Sequence, residues 1–159
     1  MKRKMFSLVM LLLCMVSSSE LYAFNEGAIG QRIPCPGKLT RVYMNGEKTA
    51  GQSVTAYLTK TSEGVYTVEL GEFQVGSMPG SIQILAPNVN VASDGSFNMP
   101  AMNKIVVLRL FGLSISTKKF NANLSGNLLS DGKLKFTVET VNAKYLGIPF
   151  TAIVTFEEN

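Results

Sequence analysis

The feature that most constrains this chain is a period-two alternation of apolar and polar residues, which recurs from Gly37 to the end. Successive side chains of an extended strand point to opposite faces, so such alternation describes strands with one buried face. The run from Lys133 to Thr140 is the clearest. Leu134, Phe136 and Val138 share one face, and Lys133, Lys135, Thr137 and Glu139 share the other. From Phe150 to Glu157 the pattern repeats, with Phe150, Ala152, Val154 and Phe156 set against Thr151, Thr155 and Glu157. Val54, Ala56 and Leu58 oppose Ser53, Thr55, Tyr57 and Thr59, and Tyr66, Val68 and Leu70 oppose Thr67 and Glu69. Turn residues punctuate these runs: Asn45-Gly46, Glu63-Gly64, Ser93-Asp94-Gly95 and Ser130-Asp131-Gly132. Each offers Gly where a positive φ is wanted. The pattern predicts strands near 38–44, 52–61, 65–70, 81–85, 88–92, 104–110, 113–117, 120–128, 133–140 and 150–157. Turns at this spacing predict an all-β barrel or sandwich of about eight to ten antiparallel strands. No segment after residue 24 has helical periodicity, and no linker divides the chain.

The amino terminus has a different grammar. Lys2-Arg3-Lys4 precedes an apolar stretch from Met5 to Val16, followed by Ser17-Ser18-Ser19 and by Leu21-Tyr22-Ala23. A basic start, a short apolar run and a small residue before the cleavage point describe an export signal. The run is too short for the roughly 20 residues of a spanning helix. Residues 1–23 are therefore expected to be a signal peptide and 24–159 a single β domain. The expected location is periplasmic, outer-membrane-associated or secreted, with no transmembrane segment in the mature chain. Cys14 raises the lipoprotein alternative, but Leu13 stands where such signals carry a small residue.

Composition narrows the function. The chain of 159 residues has no His and no Trp, which removes His-dependent triads, His general bases and His-ligated metals. From Phe24 onward 12 basic and 10 acidic residues leave a net charge of +2, and Lys118-Lys119 is the longest basic run. No basic stripe exists to follow phosphates, so a nucleic-acid partner is not expected. Asp94 and Asp131 each precede a glycine and read as hairpin residues. Cys35, between Pro34 and Pro36, is the one cysteine beyond the signal. Without a His partner it reads as a buried plug rather than a nucleophile. Glu69, Glu72 and Glu139 are the carboxylates from which a hydrolytic pair would have to be drawn, and nothing in their spacing fixes one. No catalytic residue, metal site or cofactor is expected.

One segment departs from simple alternation. In 104–116, Ile105, Val107 and Phe111 share a face with Arg109, while Val106, Leu108 and Leu110 share the other. A strand apolar on both faces is buried on both, or turns one face to an apolar cavity or a partner. Arg109 in such a setting could pair with an anionic ligand group; its alternative is a structural pair with Glu69, Glu72 or Glu139. Arg41 and Tyr43 share parity with Leu39, and Tyr57 and Tyr66 lie on neighbouring strands, a patch suited to a ligand or to cross-strand packing. The candidate ligand-binding residues are therefore Arg109, Phe111, Val107, Ile105, Tyr57 and Tyr66. The 97–103 segment, rich in Phe and Met, reads as a loop able to contact another protein.

Taken together, the mature chain resembles the calycin-like β-barrel proteins exported by Gram-negative bacteria. The resemblance rests on Gly37-Lys38-Leu39-Thr40-Arg41-Val42, on the arm from Gly64 to Leu70, on Leu124-Ser125-Gly126-Asn127-Leu128, on the run from Asp131 to Val138, and on the closing Thr155-Phe156. The Gly-x-Trp of lipocalins has no counterpart here. The resemblance implies an antiparallel up-and-down β-barrel of about eight strands, wide enough to hold one small ligand. The function it implies is binding of a small, mostly apolar ligand. The alternative is a non-catalytic structural or interaction protein of the cell envelope, with an envelope protein as partner.

Overall fold

A computed structural model of the chain describes residues 27–78, 80–100, 104–109, 118–129 and 131–159. The segment 1–23 expected to be a signal peptide, Phe111 and the strand expected at 113–117 lie outside the described residues. The alternating segments form strands: β1 (Arg32–Met44), β2 (Glu47–Lys48), β3 (Ser53–Ser62), β4 (Val65–Phe73), β5 (Ser81–Asn90), β6 (Ser96–Met99), β7 (Val106–Arg109), β8 (Lys118–Phe120), β9 (Ala122–Leu128), β10 (Leu134–Thr140), β11 (Ala143–Tyr145), β12 (Ile148–Phe150) and β13 (Ala152–Glu158).

Eleven of these strands build one antiparallel, strongly curled sheet. Its order is β6-β9-β10-β13-β1-β3-β4-β5-β7-β8, with β2 added beside β1. β6 and β7 follow one another along the same course, as do β8 and β9 across Asn121. β7 pairs with the first half of β5, Ile82 opposite Leu108 and Ile84 opposite Val106. β6 reaches the far end of β5 through the bridge Val91–Phe97. The sheet thus curls until β6 meets β5, which leaves few free edges. The two-stranded β11–β12 hairpin stands apart from the main sheet. Where the chain leaves β10 for this hairpin, the buried Thr140 hydroxyl replaces the ladder. It accepts the Ala152 N–H at 2.8 Å.

Several boundaries differ from those the alternation predicts. Segments 81–85 and 88–92 are largely one strand, β5, because Pro87 and Asn88 (φ 57°) are absorbed as a bulge between the Tyr66–Val89 and Val68–Ala86 pairs. β1 begins at Arg32 rather than near 38, and its pairing with β13 shifts at Thr40. That extra residue rotates Arg41 and Tyr43 away from the buried Leu39 face, so Val42 takes the inward position. The 97–103 segment is not an exposed loop at its start: Phe97 and Met99 lie on β6 and are buried in the core. Residues 101–103 lie outside the described residues.

The core fills the half of the curled sheet near the Glu63-Gly64, Asp94-Gly95 and Asp131-Gly132 turns. One row crosses five strands in register: Phe97 opposite Gly126, Gly126 opposite Phe136, Phe136 opposite Phe156, Phe156 opposite Leu39. The Phe136 and Phe156 rings stack at 5.2 Å. Gly126 has no room for a side chain; a Cβ there would meet the Phe97 ring and come within 2.6 Å of the Phe136 Cβ. Gly37 is equally tight, with the Phe156 ring 2.6 Å from the position a Cβ would take. The Asp-Gly turns behave as expected, Asp94 accepting the Ser96 N–H at 2.9 Å and Asp131 the Lys133 N–H at 3.1 Å. Cys35 is buried in the same half. Burial, aided by the charge of Glu158, pushes its thiol up to about 12.

Two expectations follow from this packing. Gly126→Ala forces a methyl between two phenylalanines and should cost about 1–3 kcal/mol. Urea unfolding will show it as a lowered midpoint, whereas the exposed neighbour change Ser125→Ala should leave the midpoint in place. The Cys35 thiol, protonated at pH 8, should react with a disulfide reagent only after unfolding, read as the difference from Cys35→Ser. Prompt labelling of the folded protein at that pH would contradict its place in the core.

Candidate functional site

At the opposite end the sheet is not filled. An apolar cavity of about 310 Å³ lies there. Its strand-borne walls are Met44 at the end of β1, Ile82 on β5, Val106 and Leu108 on β7, Phe120 on β8 and Ala152 on β13. Met78, from the connection before β5, contributes a flexible thioether. The remaining wall is the β11–β12 hairpin, which presents Tyr145, Ile148 and Phe150. Their alternate parity with Lys144, Pro149 and Thr151 sets two faces on the hairpin. The second face borders a more polar hollow of about 290 Å³.

The hairpin is fixed by three local contacts. Phe150 meets Phe120 edge to face, ring centroids 4.9 Å apart. Asn45, at φ 48°, donates its backbone N–H to the Thr151 carbonyl and accepts the Thr151 N–H on its side-chain oxygen at 2.9 Å. The Lys118 ammonium sits 5.5 Å from the Tyr145 ring centroid. The cavity surface is almost all carbon; Tyr145 and Asn45 are the residues with polar side-chain atoms among those that line it.

Only part of the sequence-based candidate set gathers here. Val107 and Arg109 belong to the right strand but to its other face, while Val106 and Leu108 line the cavity. Ile105 is fully buried in the core and does not line it. Phe111 lies outside the described residues. Tyr66 faces inward near the filled end, and Tyr57 faces outward. Val106, Val107 and Leu108 are all buried, so β7 is covered on both faces, as its composition implies. Phe150, expected to open the strand at 150–157, instead ends β12, while Tyr145 and Ile148 were invisible to periodicity because arms of three residues are shorter than the pattern needs.

The charged candidates are held in structural pairs. Arg109 bonds Glu72 at 3.2 Å and donates to the Gln83 side-chain oxygen at 2.8 Å. Glu72 also accepts the Ser81 hydroxyl. Arg32 lies 3.4 Å over the Tyr57 ring and bonds Glu69 at 2.7 Å, which raises the guanidinium pKa above its ordinary value. Arg41 pairs likewise with Glu47 at 2.8 Å, and its pKa rises for the same reason. Exposed pairs of this kind contribute little to stability, about 0–1 kcal/mol each. Of the three carboxylates considered for hydrolysis, Glu69 and Glu72 are on β4 and Glu139 is on β10, four places away along the sheet order. Among the described residues no group of three His, Cys, Asp or Glu side chains could hold a metal ion.

Comparison with known proteins agrees with this architecture. Searches of curated proteins and of solved structures give no match. A family model, the calycin-like beta-barrel domain, matches residues 36–159, which runs from the first half of β1 to the end of the chain and includes every strand that lines the cavity. The curled antiparallel sheet agrees with that match, and the chain belongs to the calycin-like beta-barrel domain family.

Proposed function

We propose that this protein binds a small apolar ligand in the cavity at the open end of its curled sheet. The observation that carries the reading is the carbon-lined space of about 310 Å³ between β7, β8 and the hairpin. Ligand pockets run from about 300 to 1,000 Å³, so this one suits a ligand at the small end of the range. Water gains little in such a space, because it finds too few polar partners, and an apolar cavity takes up hydrocarbon instead. Tyr145 supplies one hydroxyl able to orient a polar group on an otherwise apolar ligand. Met44 and Met78 allow the walls to adapt to shape. Family membership supports the same reading, since barrels of this class enclose ligands.

The protein is further proposed to act after export, on the strength of Lys2-Arg3-Lys4, the apolar stretch from Met5 to Val16 and Ala23. Among the described residues no helix is long and apolar enough to cross a membrane.

The ligand reading is tested with an environment-sensitive apolar dye such as N-phenyl-1-naphthylamine. Saturable binding with enhanced emission is the expected result. Ala152→Phe should fill part of the cavity and weaken binding roughly tenfold, about 1.4 kcal/mol, while the circular dichroism spectrum stays unchanged. Binding that is equally strong in that variant would place the dye elsewhere and remove the support for a cavity ligand. The export reading is tested by intact mass: the protein recovered outside the cytoplasm should begin at Phe24, and a retained Met1 would refute it.

A further inference from the structure

The tip of the β11–β12 hairpin has a composition that folding alone does not ask for. Leu146 and Ile148 are 73% and 68% exposed, two of the four exposed large apolar side chains among the described residues. Leu146 sits at φ 50° and Gly147 at φ 82°, between the paired Tyr145 and Ile148. A two-residue turn with positive φ at both positions favours Asn-Gly or Asp-Gly, which take that conformation with little strain and hydrate well. A leucine there is strained and wetted at once. Backbone strain that the fold does not need points to a role for the side chain that bears it.

Charge completes the pattern. Lys144 stands exposed on the hairpin arm, and Lys118 and Lys119 stand exposed beside it on β8, with Lys118 over the Tyr145 ring. No Asp or Glu occurs in 140–156 or in 118–129. Near this end of the sheet Glu47 and Glu72 are each paired with an arginine, and Glu139, one residue before Thr140, is the exposed carboxylate on β10. The turns at the filled end, by contrast, carry Glu63, Asp94 and Asp131.

We propose that this hairpin tip docks the cavity end of the protein on an anionic lipid surface. Lys118, Lys119 and Lys144 draw it to the headgroups, and Leu146 and Ile148 enter among them. Apolar contact and basic charge together are the two signals that interfacial binding requires. The inference goes beyond ligand binding: Leu146, Lys119 and Lys144 do not line the cavity.

Vesicle co-sedimentation tests it. The whole chain as produced, Leu146→Asn, and Lys119→Gln with Lys144→Gln are compared on vesicles of phosphatidylcholine alone and with phosphatidylglycerol added. The expected result is binding that depends on the anionic lipid and weakens with salt. Leu146→Asn, which suits the turn, should lower it roughly tenfold, and the lysine changes about fivefold per charge. Dye binding in the cavity should persist in all of them, which shows that the variants fold and separates this result from the ligand reading. The amino-terminal apolar segment is common to every variant and cannot create a difference among them. Equal binding to both lipids, or binding that Leu146→Asn leaves intact, would overturn the proposal. So would failure of the unaltered protein to bind, or a dimer that Leu146→Asn dissociates, which would make the tip a contact between two copies.

Discussion

The structure depends on a row of aromatic rings laid against bare backbone. Phe97, Phe136 and Phe156 occupy successive inward positions on β6, β10 and β13, and Gly126 provides the gap that lets two of them approach across β9. A side chain at Gly126 would push these strands apart. Glycine weakens a strand by lost entropy, and aromatic neighbours that cover its exposed backbone offset the loss. The same row ties β6 into the sheet, and β6 is the strand that reaches β5 through the Val91–Phe97 bridge. The row that fills this half of the sheet is thus also the row that draws its edge strand toward β5. Because the rings take up that half, unfilled space can persist only at the other end.

Most strands were legible because they have one wet face. A run such as Leu134 to Thr140 cannot slip by one residue without exposing Phe136 and Val138, so the pattern and the register agree. What the sequence conceals is any place where a single residue is inserted. Thr40 turns Arg41 outward, and the bulge at Pro87-Asn88 lets β5 run through a proline and a left-handed asparagine. On β7 the alternation gives no help, since Val106, Val107 and Leu108 are all buried. Composition marks that strand as special but cannot decide which parity meets the cavity. The parity that includes Arg109 turned out to face Glu72 and Gln83, a choice fixed by residues on β4 and β5 rather than by β7 itself. The hairpin was hidden for another reason: its arms are short, and Pro149 argues against a strand interior.

The hairpin is also where the energetics differ most from the rest of the fold. A two-stranded ribbon is at best marginally stable alone. This one shares no ladder with the main sheet and is held by the Phe120–Phe150 and Lys118–Tyr145 contacts, the Asn45–Thr151 hydrogen bonds, the Thr140 hydroxyl at its root and the packing of Ala143, Tyr145 and Phe150 on the core. Breaking those few contacts leaves the aromatic row untouched, because the two lie at opposite ends of the strands. Local opening free energies follow such differences in contact, so the hairpin can separate from the sheet at a cost well below that of unfolding. It is at the same time the wall of the cavity that carries Tyr145, Ile148 and Phe150. Filling one end with rigid rings and closing the other with a loosely held ribbon gives a molecule whose interior can be reached without disturbing what keeps it folded.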